Sequence, residues 1–175
     1  MCIGRIYSLV KYMGKEFKKV CLNQKGVKPE FVDLIMYGVY YAAYDLLGER
    51  TWEIVWKAGE VVFNEVKDRL GITSETPPFE ALRRMADWLK DMGYVEYIEV
   101  NRISEDEIEY VMKDPIITPG AKKLIQQGRV PAHISTALMF AILKQYNMKA
   151  EMIGDPLFLP DGRAIEKWKL IKLKH

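Results

Sequence analysis

The hydrophobic period of this chain changes along its length, and the order of the changes limits the folds open to it. From Pro29 to Gly93 apolar residues recur at steps of three and four, the spacing of one helix face after another. YVEYIEV (Tyr94–Val100) then alternates with period two, and IEYVMK follows the polar turn NRISEDE. That pair reads as an antiparallel hairpin with one face in water. Helical spacing returns between Thr118 and Asn147. It gives way to strands in KAEMIGDPLFLPDGRAIEKWKLIKLK, around the Pro160-Asp161-Gly162 turn. Like elements therefore arrive in blocks: helices, hairpin, helices, hairpin. This order predicts an α+β fold, with helices packed on one side of an antiparallel sheet.

The individual helices carry their own signals. Ile3, Ile6, Val10, Met13, Phe17 and Val20 form a narrow stripe with basic residues opposite, so residues 1–28 are expected to hold an additional N-terminal amphipathic helix. Its heptad-like spacing suits a contact across a dimer as well as packing on its own domain. Residues 29–175 form the main domain. PEFVDLIMYGVYYAAYDLLG opens with Pro29 in a tolerated first-turn position and stops at Gly48. It is apolar almost all round, with Tyr37, Tyr40, Tyr41 and Tyr44 along it, so it is central or faces both a core and a cavity. Thr51 is placed to cap the next helix, where Trp52, Val55, Trp56, Gly59, Phe63 and Val66 share a face. Gly59 within that stripe costs about 1 kcal/mol against Ala, which a close helix crossing or room for a ligand would justify. Pro78 starts a helix ending at Gly93, and Pro131 starts the helix of GRVPAHISTALMFAILKQYN.

Charge and cysteine usage exclude several function classes. The 26 basic and 24 acidic residues nearly cancel, so there is no electrostatic footprint for nucleic acid. Cys2 and Cys21 form no Cys-x-x-Cys pair and have no nearby histidine, which argues against structural zinc and a disulfide framework. Arg5, Lys11, Lys15 and Glu16 interrupt every apolar run at the start, unlike a secretory signal. No stretch reaches the roughly 20 apolar residues of a membrane span. A cytoplasmic, globular protein is expected. Abundant Lys and Glu with sparse Asn and Gln point to a thermophilic source.

Chemistry-bearing residues are few. His133 stands near the start of an apolar helix, with no partner assignable from spacing. A helix N-terminus depresses a histidine's pKa, which suits hydrogen bonding to a ligand's polar head at least as well as proton transfer. Asp155 and Asp161 lie beside Pro or Gly, where turn chemistry explains them. The acidic run from Glu105 to Glu109 reads as a solvated loop. Gly4, Gly14, Gly26 and Gly38 compose neither a dinucleotide nor a phosphate-binding fingerprint. The aromatics are the positive signal: a Trp-rich stripe beside a helix with four tyrosines offers apolar surface for either a filled core or a cavity with a few hydroxyls.

Two segments carry a family resemblance. VPAHISTALMFAILKQYNMKAEMIGDPLFLPDGRAIEKWKLIK resembles the end of the 4-vinyl reductase domain, also called the hydrocarbon-binding domain. GVYYAAYDLLGERTWEIVWKAGEVVFNEVKDRLG and FEALRRMADWLKDMGYVEYIEV resemble its paired helices and its helix-to-strand passage. The match runs from about Phe31 to Lys174 and consists of apolar spacing rather than catalytic residues. It implies the α+β fold of small TRAPP vesicle-tethering subunits, with a hydrophobic pocket between helices and sheet. It also implies the binding of small hydrophobic molecules. Some tethering relatives carry an acyl chain on a pocket cysteine, and many family members hold a metal on cysteines in the closing strands. Neither cysteine is present at the matching positions here.

The resulting expectation is non-enzymatic binding of a small hydrophobic molecule, such as an acyl chain, isoprenoid or aromatic compound, with no metal and no cofactor. Tyr40, Tyr44, Trp56, Phe63, Met139 and Phe140 are expected to line the pocket, with His133 as a polar anchor. A homodimer is the expected assembly. The alternatives are a scaffold subunit whose pocket is filled by side chains, and a reductase-type enzyme using His133 and a tyrosine as proton donors.

Overall fold

The computed structural model describes residues 26–173. The stripe from Ile3 to Val20 and both cysteines lie outside the described residues. The chain runs α1 (Pro29–Leu47), α2 (Thr51–Val66), α3 (Pro78–Asp91), β1 (Tyr97–Arg102), β2 (Glu107–Lys113), α4 (Thr118–Gln126) and α5 (Ile134–Gln145). It closes with β3 (Met148–Met152), β4 (Leu157–Phe158) and β5 (Arg163–Lys172). The α+β expectation is met, and every strand pairing is antiparallel.

The sheet runs in the order β1-β2-β5-β3, with β4 pairing the opposite end of β5. The last strand is therefore central, held by β2 along one edge and by β3 and β4 along the other. Register follows the alternation read from the sequence. Met112 faces Ile98 and Ala164, Tyr110 faces Val100 and Glu166, and Ile108 faces Trp168. Between β4 and β5 the chain reverses at Gly162, whose φ of +87° few other residues tolerate. Asp161 serves that turn by accepting hydrogen bonds from the Arg163 N–H (3.2 Å) and guanidinium (2.8 Å).

Helices α3 and α5 lie on the sheet, and α2 packs across α5. The core between them buries Val55, Phe63, Leu82, Met85, Leu138, Met139, Ile142, Leu143, Trp168 and Leu170. Each fully buried side chain of this size stabilises by about 1.5–3 kcal/mol relative to exposure. Gly59 is the point of closest helix approach. A Cβ there would stand 2.5 Å from the Ala137 carbonyl oxygen and 2.8 Å from its Cβ. The glycine thus marks a helix crossing and not space for a ligand.

Three local expectations are corrected. Helix α1 is peripheral: only Tyr40 is buried, while Phe31 (58%), Leu34 (61%) and Leu46 (82%) face outward. Its tyrosine row meets Arg129, whose guanidinium lies 3.8 Å from the Tyr41 ring centroid and bonds Asp45 at 2.6 Å. Apolar content alone did not separate a central helix from one with an uncovered face. Thr51 does not cap α2 with its side chain. Its hydroxyl donates to the Gly48 carbonyl at 2.8 Å, bracing the turn between α1 and α2. Helix α5 begins at Ile134, because Val130, Pro131 and Ala132 run as a buried lead-in and leave His133 in the cap position.

Substitution Gly59→Ala is expected to destabilise the fold by about 1–3 kcal/mol, despite alanine's better helix propensity. Urea unfolding of the two proteins measures this, with the loss seen as a lower midpoint at unchanged slope.

Candidate ligand-binding pocket

A cavity of about 260 Å³ lies between α4, the start of α5 and the inner face of the sheet where β2 meets β5. Its buried floor is Tyr94, Met112, Ile117 and Ala132. Half-buried Ala121, His133, Ser135, Thr136, Ala164 and Glu166 form the walls. Asp114, Lys122, Ile125 and Phe158 stand exposed at the rim. A larger hollow of about 700 Å³ is lined by α2 residues alone, so it is an open groove on one helix.

Each wall is placed by local structure. Tyr94 ends the turn after α3, and its phenol interacts with Ser135 in the first turn of α5. Burial pushes the Tyr94 phenol well above its ordinary value, and the Ser135 hydrogen bonds pull it partly back. The contact ties the first turn of α5 to the strand layer. On α4, the Gly120 N–H donates to Asp33 Oδ1 of α1 at 2.9 Å, fixing the other helix of the pocket.

His133 and Glu166 are joined by an aromatic row that runs behind the pocket. The His133 ring stacks on Trp52 at 5.5 Å, Trp52 on Trp56 at 5.3 Å, and Trp56 meets Phe140 at 5.1 Å. Phe140 then meets Trp168 edge-on at 6.0 Å, and Trp168 Nε1–H donates to Glu166 Oε2 at 3.2 Å. Burial lowers the His133 pKa, favouring the neutral ring. Burial raises that of Glu166, against a smaller opposing pull from the Trp168 hydrogen bond.

Among the residues expected to bind ligand, His133 alone borders this cavity. Trp56 and Phe140 come together with it in the aromatic row. Tyr40, Phe63 and Met139 pack into the filled core, and the Tyr44 hydroxyl donates to Glu49 at 3.1 Å. The sequence reading did not name Tyr94, Met112, Ile117 or Glu166. For Glu166 a signal was present: alternation in AIEKWKL puts it on the same face as Ala164, Trp168 and Leu170. A carboxylate at an inward position of a central strand is costly, and such positions mark sites.

The raised pKa of Glu166 has a defined sign in stability. Its contribution is complete below the unfolded-state value and is lost as pH rises through the folded-state value. Glu166→Gln keeps an acceptor for Trp168 and removes the charge. The variant is expected to show a higher Tm than the parent near neutral pH. The gain should vanish toward about pH 4, where the unfolded carboxyl also protonates. Thermal melts across that range read it directly.

Neither a family model nor a curated protein matches this chain. Solved structures do. A trafficking protein particle complex subunit 3 from Naegleria fowleri, covalently bound to palmitic acid, aligns over 84% of this chain and 97% of its own, at TM-score 0.57 and 13% identity. A structure from work on heme distortion in the H-NOX family aligns over 86% of this chain and 74% of its own, at TM-score 0.53 and 13% identity. Another, concerned with heme redox potential and protein-induced porphyrin distortion, aligns over 83% and 76% at TM-score 0.51 and 13% identity. The chain has the fold these proteins share; at this identity the likeness is one of fold alone. Among the described residues, no helix is long and apolar enough to cross a membrane.

Proposed function

We propose that this chain binds a small hydrophobic molecule, without turning it over, in the cavity between α4, α5 and the sheet. The observation that carries the reading is the apolar floor of Met112, Ile117 and Ala132, with His133, Ser135, Thr136 and Glu166 gathered in the wall above it. Small-molecule sites are built this way, with apolar lining for affinity and sparse polar groups for orientation. Ligand burial at roughly 25 cal/mol per Å² of apolar surface supplies the driving force. A short acyl chain or a small aromatic compound suits a chamber of about 260 Å³. The resemblance to the hydrocarbon-binding domain supports the same reading, with a cytoplasmic setting. His133 acts as a neutral hydrogen-bonding group in it.

Native mass spectrometry of the purified protein, with denaturing extraction of any retained small molecule, tests this. A bound apolar compound, lost in Ala121→Phe while the melting curve stays cooperative, is the expected result. Retention by that variant would move the site elsewhere.

A second reading, self-association, is favoured by a specific surface. Phe31, Leu34, Ile35 and Val39 on α1, with Ile54, Val61 and Val62 on α2, are exposed large hydrophobic residues. Exposed apolar residues gathered on neighbouring helices mark interaction sites. None of these seven residues lines the cavity. Light scattering on the intact chain should give twice the chain mass of 20.3 kDa. Leu34→Glu combined with Val61→Glu should give the monomer.

A further inference from the structure

Resting on the pocket reading above, the identity of the guest's polar end can be narrowed. We infer that the cavity accepts an apolar molecule whose head donates a hydrogen bond, an alcohol or an amine, and that Glu166 is the acceptor that discriminates it from a carboxylate. The geometry starts with the sheet. Glu166 faces Tyr110 across the β2–β5 ladder, and Tyr110 faces Val100, so the carboxyl sits in an otherwise uncharged inward row. Folding requires an acceptor there for the buried Trp168 indole N–H, a role that a neutral amide fills without the cost of a desolvated charge.

No ion pair among the described residues involves Glu166, so no cation compensates it. Its single hydrogen bond comes from Trp168 Nε1–H to Oε2. A carboxylate has about four acceptor sites, and Oε1 receives no donor from the described residues although Glu166 lines the cavity. Because Glu166 lines the cavity, a donor on a guest can reach its carboxyl. Burial raises the Tyr110 phenol, and the Glu166 carboxylate opposite it on β5 raises it further.

One competing anion-binding feature is already engaged. In the first turn of α4 the Gly120 N–H donates to Asp33. That amide is not offered to a guest carboxylate. Lys122 is the cation at the rim, and it is exposed, where water screens it. Asp114 stands at the same rim with the opposite charge. The neutral His133 ring adds no positive charge inside. A carboxylate head would therefore meet a like charge, whereas a hydroxyl or ammonium head would complete the Oε1 shell.

Titration calorimetry with octan-1-ol, octylamine and octanoate near neutral pH compares heads on one tail. Hydrogen bonds to a charged group are worth enough to separate ligands by about ten- to a hundredfold. Octanol and octylamine are expected to bind the parent protein at least ~tenfold more tightly than octanoate. In Glu166→Gln the octylamine preference should collapse and octanoate should gain by a comparable factor. Octanoate binding the parent as tightly as the other two, or an unchanged ranking in Glu166→Gln, overturns the head assignment and leaves the pocket reading standing. Failure of all three to bind the parent overturns the pocket reading itself, and this inference with it.

Discussion

The near-contact of α2 with α5 at Gly59 and Ala137 is the constraint on which the rest of the molecule depends. With no side chain at that point, two helix backbones approach closely enough for Val55 and Phe63 to enter the core beside Ala141 and Met139. The same crossing sets the distance between Trp52 and Trp56 on one helix and His133 and Phe140 on the other. Interiors are packed as densely as organic crystals, so a methyl group at the crossing is felt along the whole seam. The residue that meets Gly59, Ala137, directly follows the wall residues Ser135 and Thr136, so the crossing also places the pocket wall.

The pocket is a place where packing stops, and its edges are held by polar ties. Tyr94 binds the start of α5, Asp33 binds the start of α4, and the aromatic row closes the rear. Rigid support of this sort lets a cavity persist without collapse. Glu166 stands out against it: the fold uses one carboxyl oxygen, as acceptor for the buried Trp168 indole, at the cost of a partly desolvated charge. Proteins break local rules at functional sites and compensate elsewhere. Here the compensation is the surrounding apolar row of the sheet.

Much of this architecture was legible in the sequence because periodicity reports burial directly. The two hairpins, the Pro29 and Pro78 helix starts and the Gly162 turn follow from local chemistry, and the structure has them at those residues. The α+β arrangement followed from their order. The pocket was less legible, for a physical reason. Large aromatic residues such as Phe63 and Tyr40 attract attention as lining, yet large side chains fill space and small ones leave it. The actual walls include Ala121, Ala132 and Ala164, whose smallness makes the hollow. Likewise Pro131 reads as a helix start because proline is a good first-turn residue, while Val130 to Ala132 run as a buried lead-in to a helix that begins at Ile134. Face assignment on α1 failed for want of polar residues to mark the wet side.

The position of β5 in the sheet has a temporal consequence. Among the described strands it is the last in chain order and the one that pairs with three others. Until it arrives, β2 has an open edge, β3 and β4 have no ladder, and the helices built earlier lack the layer that seals them. An unpaired β2 edge is the kind of surface most prone to pair with a neighbour, and β5 covers it. The chamber, walled by residues of both strands, is complete only when β5 has paired with β2.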